Sequence, residues 1–533
     1  MIKDELKKLL GNDFNGKIDH PTIEKFGDFA IRGDVEITED KELIDSVDKV
    51  AGFTNIFINK EKLINEAEKI GSEQWQKELE KVGNEKTMVI DYSAPNIAKS
   101  FGIGHLRSTN IGQAIYNIYK FLGWKCIGDN HLGDWGTQFG KLIVAIIKYQ
   151  TLDSRFQIIN KDKNVDELSI NDLEKFYVKF HEEAEKDKSL NDEAREWFSK
   201  LENKDKIATE IWQKCIDISM KEFDRIYQLL GIKIDYALGE SFYLDKMEAV
   251  VKLMESKGII KNSEGARIVE FEKIPPAMVI KSNGTTTYFL RDMATVKYRI
   301  ETWKPDLIIY EIGADQELHC RQIFETAKML GWTPQFYNVA HGMIRWAEGK
   351  FSTRKGQTIH LSEVIDKAME EARKIAPEND ETKIKAVAIG AIKFNDLKQD
   401  PKKDIIFDWE KVMSMEGNSG PYLQYTYARC QSVLNKKSLK TKVQNQKWEE
   451  EEMSLLREFY KFEEKIVEAA ERFSPAVLAE YLLNLARKYN EFYAKFRIIG
   501  EKEEEQRLFL TERTGIILKI GLGILGIETM DKM

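Results

Sequence analysis

Apolar residues along the chain follow two patterns, short continuous runs and longer stretches at helical spacing. Four short runs are consistent with buried strands, and they cover residues 87–92, 124–130, 306–312 and 336–340. Long helical segments separate them. Strands that alternate with helices pair in parallel, because each helix carries the chain back across one face of the sheet. The pattern therefore predicts an α/β fold with a Rossmann-type parallel sheet.

Between and beyond these strands the pattern is mostly helical. Residues 141–230 are charged, with apolar positions at helical spacing, which predicts a helical insertion that splits the nucleotide fold. Residues 264–287 contain two β-rich runs, and the pair Asn283-Gly284 predicts a tight hairpin turn. From residue 415 onward the chain reads as almost wholly helical.

The first 85 residues form a small separate unit. An amphipathic helix at residues 1–10 precedes two short strands, which we predict at residues 26–30 and 52–58. The stretch between those strands is short and rich in Asp and Glu.

Composition sets limits on class and partners. With 533 residues the chain is too long for one core, so we expect roughly three or four domains. The formal net charge of −8 means that a nucleic-acid partner needs a local basic patch or a matching shape. Four scattered cysteines without a CxxC pair argue against disulfides and zinc. No apolar run could span a bilayer, so we expect a cytoplasmic protein without a membrane partner.

The most informative motif follows the first strand. It reads D-Y-S-A-P-N-I-A-K-S-F-G-I-G-H-L-R-S-T and carries Gly102 and Gly104 just before a helical pattern that starts at His105. A strand, a glycine loop and a helix N-terminus together form a common phosphate-binding arrangement, with Lys99 as an additional donor. Glycine-rich turns are also common in α/β proteins that bind no nucleotide.

The same motif resembles the first signature of class I aminoacyl-tRNA synthetases, in its arginyl form. Further blocks are similar to that family in the same order, namely H-L-G-D-W-G-T-Q-F-G, Y-F-L-R-D-M-A-T-V-K-Y-R, F-S-T-R-K-G and G-P-Y-L-Q-Y-T-Y-A-R. The resemblance implies an N-terminal additional domain at 1–85, which contacts the tRNA corner and which we expect to be shortened here. It also implies a catalytic domain at 86–414, and an all-α anticodon-binding bundle at 415–533.

The resemblance implies an ATP site with two parts. In the first signature Gly102, Gly104 and His105 bind the nucleotide, and Gly102 replaces the first histidine of the pattern. In the second signature Thr353 replaces the usual lysine, so Lys99 would supply the charge. The second signature forms the other part of the site. It contains the catalytic candidates Lys350 and Arg354, and the ATP-binding candidates Ser352, Thr353 and Lys355. A plain basic surface loop is the other interpretation of these residues.

An arginine pocket follows from the same resemblance. Glu240 and Asp292 would bind the guanidinium, since its fork of donors suits two carboxylates, and Tyr288 would accompany them. Tyr288 and Asp292 are four positions apart and would share a helix face. Asn96 and Gln316 would hold the α-amino and carboxylate groups. Each acid alone could equally be an ordinary surface residue.

The implied reaction uses arginine, ATP and tRNA(Arg) and gives arginyl-tRNA, AMP and pyrophosphate, with Mg²⁺ on the nucleotide. The implied tRNA contacts lie at the start of the bundle, at Tyr422, Gln424, Tyr425 and Arg429. Aromatics at this spacing are also common in helical cores. We expect a monomer without zinc. Two alternatives are a related cysteinyl-type synthetase, which would need zinc, and a tRNA-binding relative that has lost catalysis.

Overall fold

A computed structural model of the protein describes residues 1–11, 14–37, 40–150, 168–346, 360–375, 380–437 and 447–533. Its strands are β1 (Ile18–Asp19), β2 (Phe29–Arg32), β3 (Ile44–Val50), β4 (Phe53–Ile58), β5 (Thr87–Asp91), β6 (Lys125–Asn130), β7 (Tyr236–Ala237), β8 (Ile260–Ser263), β9 (Ala266–Val269), β10 (Ala277–Ile280), β11 (Leu307–Gly313), β12 (Gln335–His341), β13 (Ile344–Trp346) and β14 (Ile405–Phe407).

The helices are α1 (Ile2–Leu10), α2 (Lys60–Lys69), α3 (Glu73–Glu80), α4 (Ile103–Phe121), α5 (Thr137–Gln150), α6 (Ile170–Lys186), α7 (Ser189–Glu202), α8 (Lys206–Leu230), α9 (Met247–Ser256), α10 (Tyr288–Trp303), α11 (Glu317–Met329), α12 (Leu361–Ile375), α13 (Glu381–Leu397), α14 (Trp409–Val412), α15 (Gly420–Leu434), α16 (Glu450–Phe459), α17 (Lys461–Glu471), α18 (Pro475–Lys495) and α19 (Glu504–Ile524). Short 3₁₀ helices occur at Glu24–Phe26, Glu240–Lys246 and Ala314–Gln316.

A parallel sheet in the order β12-β11-β5-β6-β7 forms the centre of the molecule. Its middle strand β5 is a continuous apolar run whose residues Met88, Val89 and Ile90 are fully buried, as expected for a strand covered on both faces. The predicted parallel sheet is therefore confirmed. The edge strand β7 was not predicted, because it has only two residues and both are exposed.

Helix α4 lies between this sheet and the C-terminal helices, and most of its side chains are buried. Its close approach to the sheet depends on Gly112, since a Cβ there would lie 2.3 Å from the Cβ of Tyr92. Close packing at this point holds the N-terminus of α4 at the end of β5, where the nucleotide motif lies.

The predicted helical insertion is present as α5 to α8 in the described residues. The β-rich segment after α9 forms an antiparallel sheet in the order β10-β9-β8. Its Asn283-Gly284 turn is closed by a 2.9 Å hydrogen bond from the Lys281 amide to the Thr285 carbonyl, with Gly284 at a φ of 85°. Strand β8 was missed because the sequence Ile260–Ser263 is mostly polar and exposed.

The N-terminal unit contains an antiparallel sheet in the order β1-β2-β4-β3. The strand predicted at residues 26–30 is wrong in its first half, because Phe26 ends a 3₁₀ helix and β2 starts at Phe29. Gly27 makes the connection at a φ of 96°, and a Cβ there would lie 2.7 Å from the carbonyl oxygen of Ile56. The chain enters the strand only after this turn.

Helices α15 to α19 form the predicted C-terminal bundle, and they share one apolar core with the N-terminal unit and α4. The bundle buries the aromatic residues Tyr481, Tyr489 and Phe492, whereas Tyr493 is 39% exposed. Within the part of the chain that the structure describes, no helix is both long enough and apolar enough to cross a membrane.

Candidate active site

Several predicted site residues, joined by His131, lie at one edge of the central sheet, where the parallel strands end. Asn96 follows β5, His131 follows β6, Glu240 follows β7 and Gln316 follows β11. The chain leaves β5 toward β6 on one side, whereas β11 pairs with the other side of β5. Such a switch in strand order opens a crevice at the carboxyl ends, which is the usual ligand site of doubly wound folds.

The N-terminus of α4 lies at this crevice. Gly102 is the N-cap, and its amide donates to Nδ1 of His105 over 3.2 Å, which leaves the ring proton on Nε2 as a donor. Burial, with the charge of Lys99, lowers the pKa of His105, so the imidazole is neutral at pH 7. No protein atom in the described residues lies within 4 Å of a Cβ built at Gly104, so its backbone is open to a ligand.

The second signature lies outside the described residues, and so do Lys350, Ser352, Thr353, Arg354 and Lys355. The residues that follow it are described. His360 forms an antiparallel bridge with Gly102, and the Leu361 amide donates to the Phe101 carbonyl over 2.8 Å. The described chain therefore resumes at His360 beside the first signature, at the N-terminus of α4.

The two predicted guanidinium-binding carboxylates are electrostatic neighbours, since the negative charge of Asp292 helps to raise the pKa of Glu240. Glu240 begins its 3₁₀ helix, and Asp292 lies in the second turn of α10. Nε2 of His319 lies 2.5 Å from Oδ2 of Asp292, and Nε2 of His131 lies 3.5 Å from Oδ1. Nη1 of Arg291 lies 3.1 Å from Oε2 of Glu240.

The two carboxylates titrate differently. Burial raises the pKa of Glu240 to about 7, although the charge of Arg291 opposes this rise. Burial alone would also raise the pKa of Asp292, but the hydrogen bond with His319 and the surrounding positive charges lower it overall. Asp292 is thus the permanently ionised member of the pair, whereas Glu240 is partly protonated near neutral pH.

The remaining predicted arginine contacts are accessible from the crevice side. Tyr288 starts α10 with 58% of its surface exposed, and its ring lies 4.5 Å from the guanidinium carbon of Arg291. Asn96 and Gln316 are both exposed at the strand ends. Backbone pairing with Gly133 holds the position of Asn96, where the Ile97 amide donates to the Gly133 carbonyl over 3.2 Å.

Asp134 positions the segment that carries Glu240. Its carboxylate accepts from the Ser241 amide over 2.8 Å and from the Ser241 hydroxyl over 2.6 Å. Gly239 makes room for this contact, because a Cβ there would lie 2.0 Å from Oδ2 of Asp134. The sequence left the role of the H-L-G-D-W-G block open, and in the structure His131 and Asp134 of that block both reach the pocket.

Sequence reasoning missed three of the pocket's charged groups. His131 stood in a quoted motif without a role, His319 stood outside those motifs, and Arg291 was not distinguished from an ordinary surface arginine. Arg291 is only 9% exposed, so it is not a surface arginine. The sequence did contain a signal for Arg291, because it lies along the chain between two residues of the predicted pocket.

The predicted tRNA contacts divide into two kinds. Gln424 is completely buried, and its amide donates to the carbonyls of Ala386 and Glu528 over 3.0 and 2.8 Å, so its assignment as a tRNA contact is wrong. It joins α15 to α13 and to the C-terminal tail. The other three residues, Tyr422, Tyr425 and Arg429, are partly exposed on α15.

Two residues of α18 complete this surface. The guanidinium carbon of Arg429 lies 4.9 Å from the ring of Tyr425 and 4.8 Å from the ring of Tyr493. Asn490 binds Arg429 and donates to the hydroxyl of Tyr422 over 2.9 Å. We call Tyr422, Tyr425, Arg429, Asn490 and Tyr493 the aromatic–arginine cluster.

Comparisons with known proteins agree with this architecture. The family model described as "tRNA synthetases class I (R), catalytic domain" matches residues 69–409, and the DALR anticodon binding domain matches residues 423–533. The arginyl-tRNA synthetase structure from Plasmodium falciparum superposes with a TM-score of 0.84 at 23% identity, covering 100% of this chain and 98% of that one. The chain therefore belongs to the class I aminoacyl-tRNA synthetases.

Sequence relatives narrow the class further. An arginine–tRNA ligase of Halothermothrix orenii is 41% identical, covering 90% of this chain and 86% of that protein. One from Clostridium kluyveri is 37% identical over 100% of this chain and 99% of that protein. This chain belongs to the arginyl-tRNA synthetase family.

Proposed function

We propose that this protein ligates L-arginine to tRNA(Arg) at the expense of ATP. The observation that carries this proposal is the proximity of Glu240 and Asp292, which influence each other's charge at the sheet edge that also holds the N-terminus of α4. A guanidinium has five donors in a planar fork and pairs well with two carboxylates. A neutral side chain could not form these charge-assisted hydrogen bonds, which are roughly twice as strong as those between neutral groups.

The first step is the activation of arginine. A carboxylate oxygen of arginine attacks the α-phosphorus of ATP, the bond to the bridging oxygen of the β-phosphate breaks, and pyrophosphate leaves. The arginine carboxylate is already ionised, so the site needs no general base and acts through positioning and charge stabilisation. Asn96 and Gln316 hold the α-amino and carboxylate groups, while Lys99 and Nε2 of His105 donate to the phosphate oxygens.

The phosphates occupy the loop of Gly102 and Gly104 and the N-terminus of α4, where backbone N–H groups and the helix dipole favour an anion. The second signature completes this site with Lys350 and Arg354, joined by Ser352, Thr353 and Lys355. Mg²⁺ would enter on the phosphates of ATP, as this ion commonly does, and would neutralise part of their charge.

The second step transfers the arginyl group. A hydroxyl of the terminal ribose at the 3′ end of tRNA attacks the carbonyl carbon of the adenylate, AMP leaves with the bonding electrons, and the phosphate of AMP takes the proton of the attacking hydroxyl. The aromatic–arginine cluster binds an unpaired base of the tRNA, because aromatic rings and guanidinium planes stack on exposed bases. We also propose that the enzyme works as a cytoplasmic monomer.

A charging assay tests the proposal. Purified protein, ATP, Mg²⁺ and total tRNA are incubated with each of the twenty amino acids in turn, and acid-precipitable aminoacyl-tRNA is measured. We expect a product with arginine alone. Charging with cysteine would support the cysteinyl-type alternative, and binding of tRNA without any charging would support a relative that has lost catalysis. Either result would reject the proposal.

A further inference from the structure

Each carboxylate of the arginine pocket has a cationic partner from the protein itself. Arg291 lies 3.1 Å from Glu240, and the imidazole of His319 lies 2.5 Å from Asp292. All four side chains are largely shielded from solvent, with His319 the most accessible at 32% of its side-chain surface. Because a charge shielded from water is costly unless it is paired, the positive and negative charges in this site must be nearly equal in number.

A substrate guanidinium adds one more positive charge to this balanced set. The two resident cations differ in how they can respond to it. Arg291 cannot lose its proton under physiological conditions, since a guanidinium remains charged above pH 12. His319 can, because an imidazole titrates close to neutral pH.

We propose that the binding of L-arginine expels a proton from His319, while Arg291 stays charged as the fixed partner of Glu240. This inference rests on the proposed function, since it takes the pocket of Glu240 and Asp292 as the guanidinium site. His319 is then a positioning residue for substrate binding. Before arginine binds, it keeps Asp292 oriented and ionised. When arginine binds, the substrate guanidinium replaces it as the partner of that carboxylate.

The proton balance of this exchange is simple. The imidazolium form of the enzyme and the arginine cation give the neutral imidazole form with bound arginine, and one proton passes to the buffer. No covalent bond other than the N–H bond of His319 breaks. The exposed part of the ring gives the proton a route to solvent.

The environment of His319 supports this exchange. Burial lowers the pKa of His319, but the hydrogen bond and the charge of Asp292 raise it overall. Once a substrate guanidinium neutralises Asp292, only the lowering effect of burial is left. The titratable and charged groups that act on the two carboxylates from neighbouring elements are His131, Asp134, Arg291 and Arg299. Asp91 and Glu317 act on Cys320, the residue next to His319.

Glu240 is a second source of protons. Its pKa of about 7 means that arginine binding at neutral pH also removes protons from this carboxyl group. The contribution of His319 must therefore be measured as a difference between variants. The matched variants are His319→Gln, whose amide can donate to Asp292 without titrating, and His131→Gln on the other side of the same carboxylate.

Isothermal titration calorimetry measures the exchange. L-arginine is titrated into the full-length enzyme at pH 7, alone and with tRNA(Arg), in two buffers with different ionisation enthalpies. The difference in heat gives the number of protons released for each arginine bound. We expect the wild type to release at least roughly half a proton more for each arginine bound than His319→Gln does. His131→Gln should release as many protons as the wild type.

Three results would overturn the inference. Equal proton release in the wild type and His319→Gln would show that His319 keeps its protonation state. A loss confined to His131→Gln would assign the proton to the other imidazole. The absence of arginine binding in both buffers, with and without tRNA(Arg), would reject the proposed function itself and the inference with it.

A second measurement does not depend on the folding of a variant. The wild-type enzyme labelled with ¹³C at the histidine Cε1 positions is titrated with pH by NMR, with and without arginine. The pKa is raised for His319 by Asp292 and for His341 by Glu311, and we expect arginine to lower clearly only one of these two raised values. Titration curves that arginine does not change would also overturn the inference.

Discussion

At the scale of single residues, the nucleotide loop offers two kinds of hydrogen-bond donor, a neutral imidazole and a charged ammonium group. His105 is held by the Gly102 amide, and burial lowers its pKa, so it contributes a directed hydrogen bond. Lys99 is exposed beside it and contributes an ammonium group. Among the described residues of this loop, Lys99 therefore contributes most to stabilising the charge that develops on the phosphate oxygens in the transition state.

Replacing Lys99 with alanine should slow turnover much more than it weakens arginine binding. We expect kcat to fall roughly a hundredfold, as for the loss of one preorganised donor, with the KM for arginine within about twofold of the wild type. Steady-state charging kinetics measure both values. Lys125→Ala, at the opposite end of the sheet on β6, is the control and should behave as the wild type. A wild-type kcat in Lys99→Ala would remove this residue from the mechanism.

The sequence predicted acidic residues for the pocket but not the cations that pair with them. Glu240 and Asp292 can be identified from the sequence because each lies at a recognisable position within a short motif. The pairs with Arg291 and His319 depend on how α10 and α11 pack against a distant 3₁₀ helix, and no local pattern specifies that packing. The burial of Gln424 was unpredictable for the same reason, since one of its partners is in the C-terminal tail.

At the scale of elements, the position of Glu240 depends on one contact between two loops. Asp134 follows β6 and accepts two hydrogen bonds from Ser241, which fixes the first turn of the 3₁₀ helix Glu240–Lys246. Gly239 is in an ordinary extended conformation, with a φ of −75°, so the requirement for glycine is one of space and not of backbone strain.

Gly239→Ala tests this contact. The added methyl group would collide with Asp134 and displace the start of the 3₁₀ helix, so we expect the KM for arginine to rise roughly ten- to a hundredfold while the KM for ATP changes little. Gly523→Ala is the matched control, because no atom of the described residues lies within 4 Å of its Cβ position. An unchanged KM for arginine in Gly239→Ala would show that Asp134 does not position Glu240.

Helices α15 and α18 together form the aromatic–arginine cluster, which neither helix could form alone. Its exposed stacking surface should bind tRNA, so Arg429→Ala is expected to raise the KM for tRNA roughly tenfold or more, with the KM for arginine unchanged. Arg472→Ala, an exposed arginine at the end of α17, is the control. Equal KM values for tRNA in the two variants would place the tRNA contact elsewhere.

The strands of the central sheet could be predicted because they are long apolar runs, and the helices because their periodicity is clear. The exposed dipeptide β7 and the polar strand β8 could not, since both are stabilised by pairing with a neighbour and not by their own residues. The same limit applies to Gly27, where a turn dictated by tertiary contact replaces the first half of a predicted strand.

At the scale of the whole molecule, the N-terminal unit is fastened to the C-terminal bundle, although the two are far apart in sequence. Lys488 on α18 lies 2.5 Å from Glu24 of the N-terminal unit and 2.5 Å from Glu458 of α16. Nearby, His20 lies 3.0 Å from Glu464 of α17. The domain order was readable from the sequence, but this contact was not, because charged residues on a helix surface give no sign of their partners.

Lys488→Ala should loosen the N-terminal unit from the bundle. Glu458 is only 4% exposed and keeps Lys461 at 3.2 Å as a second partner, so removing Lys488 takes one of two cations from a buried carboxylate, at a cost of roughly 1.5–3 kcal/mol. For a chain of several domains this cost is best read as a lower first unfolding temperature in calorimetry and as faster cleavage near residue 85 by a protease. The matched control is Lys495→Ala on the same helix, whose lysine is 57% exposed beside Glu451 and whose loss should cost about 0–1 kcal/mol. If both variants unfold at the same temperature and are cut at the same rate, the ion cluster does not hold the two units together, and their shared apolar core alone accounts for the contact.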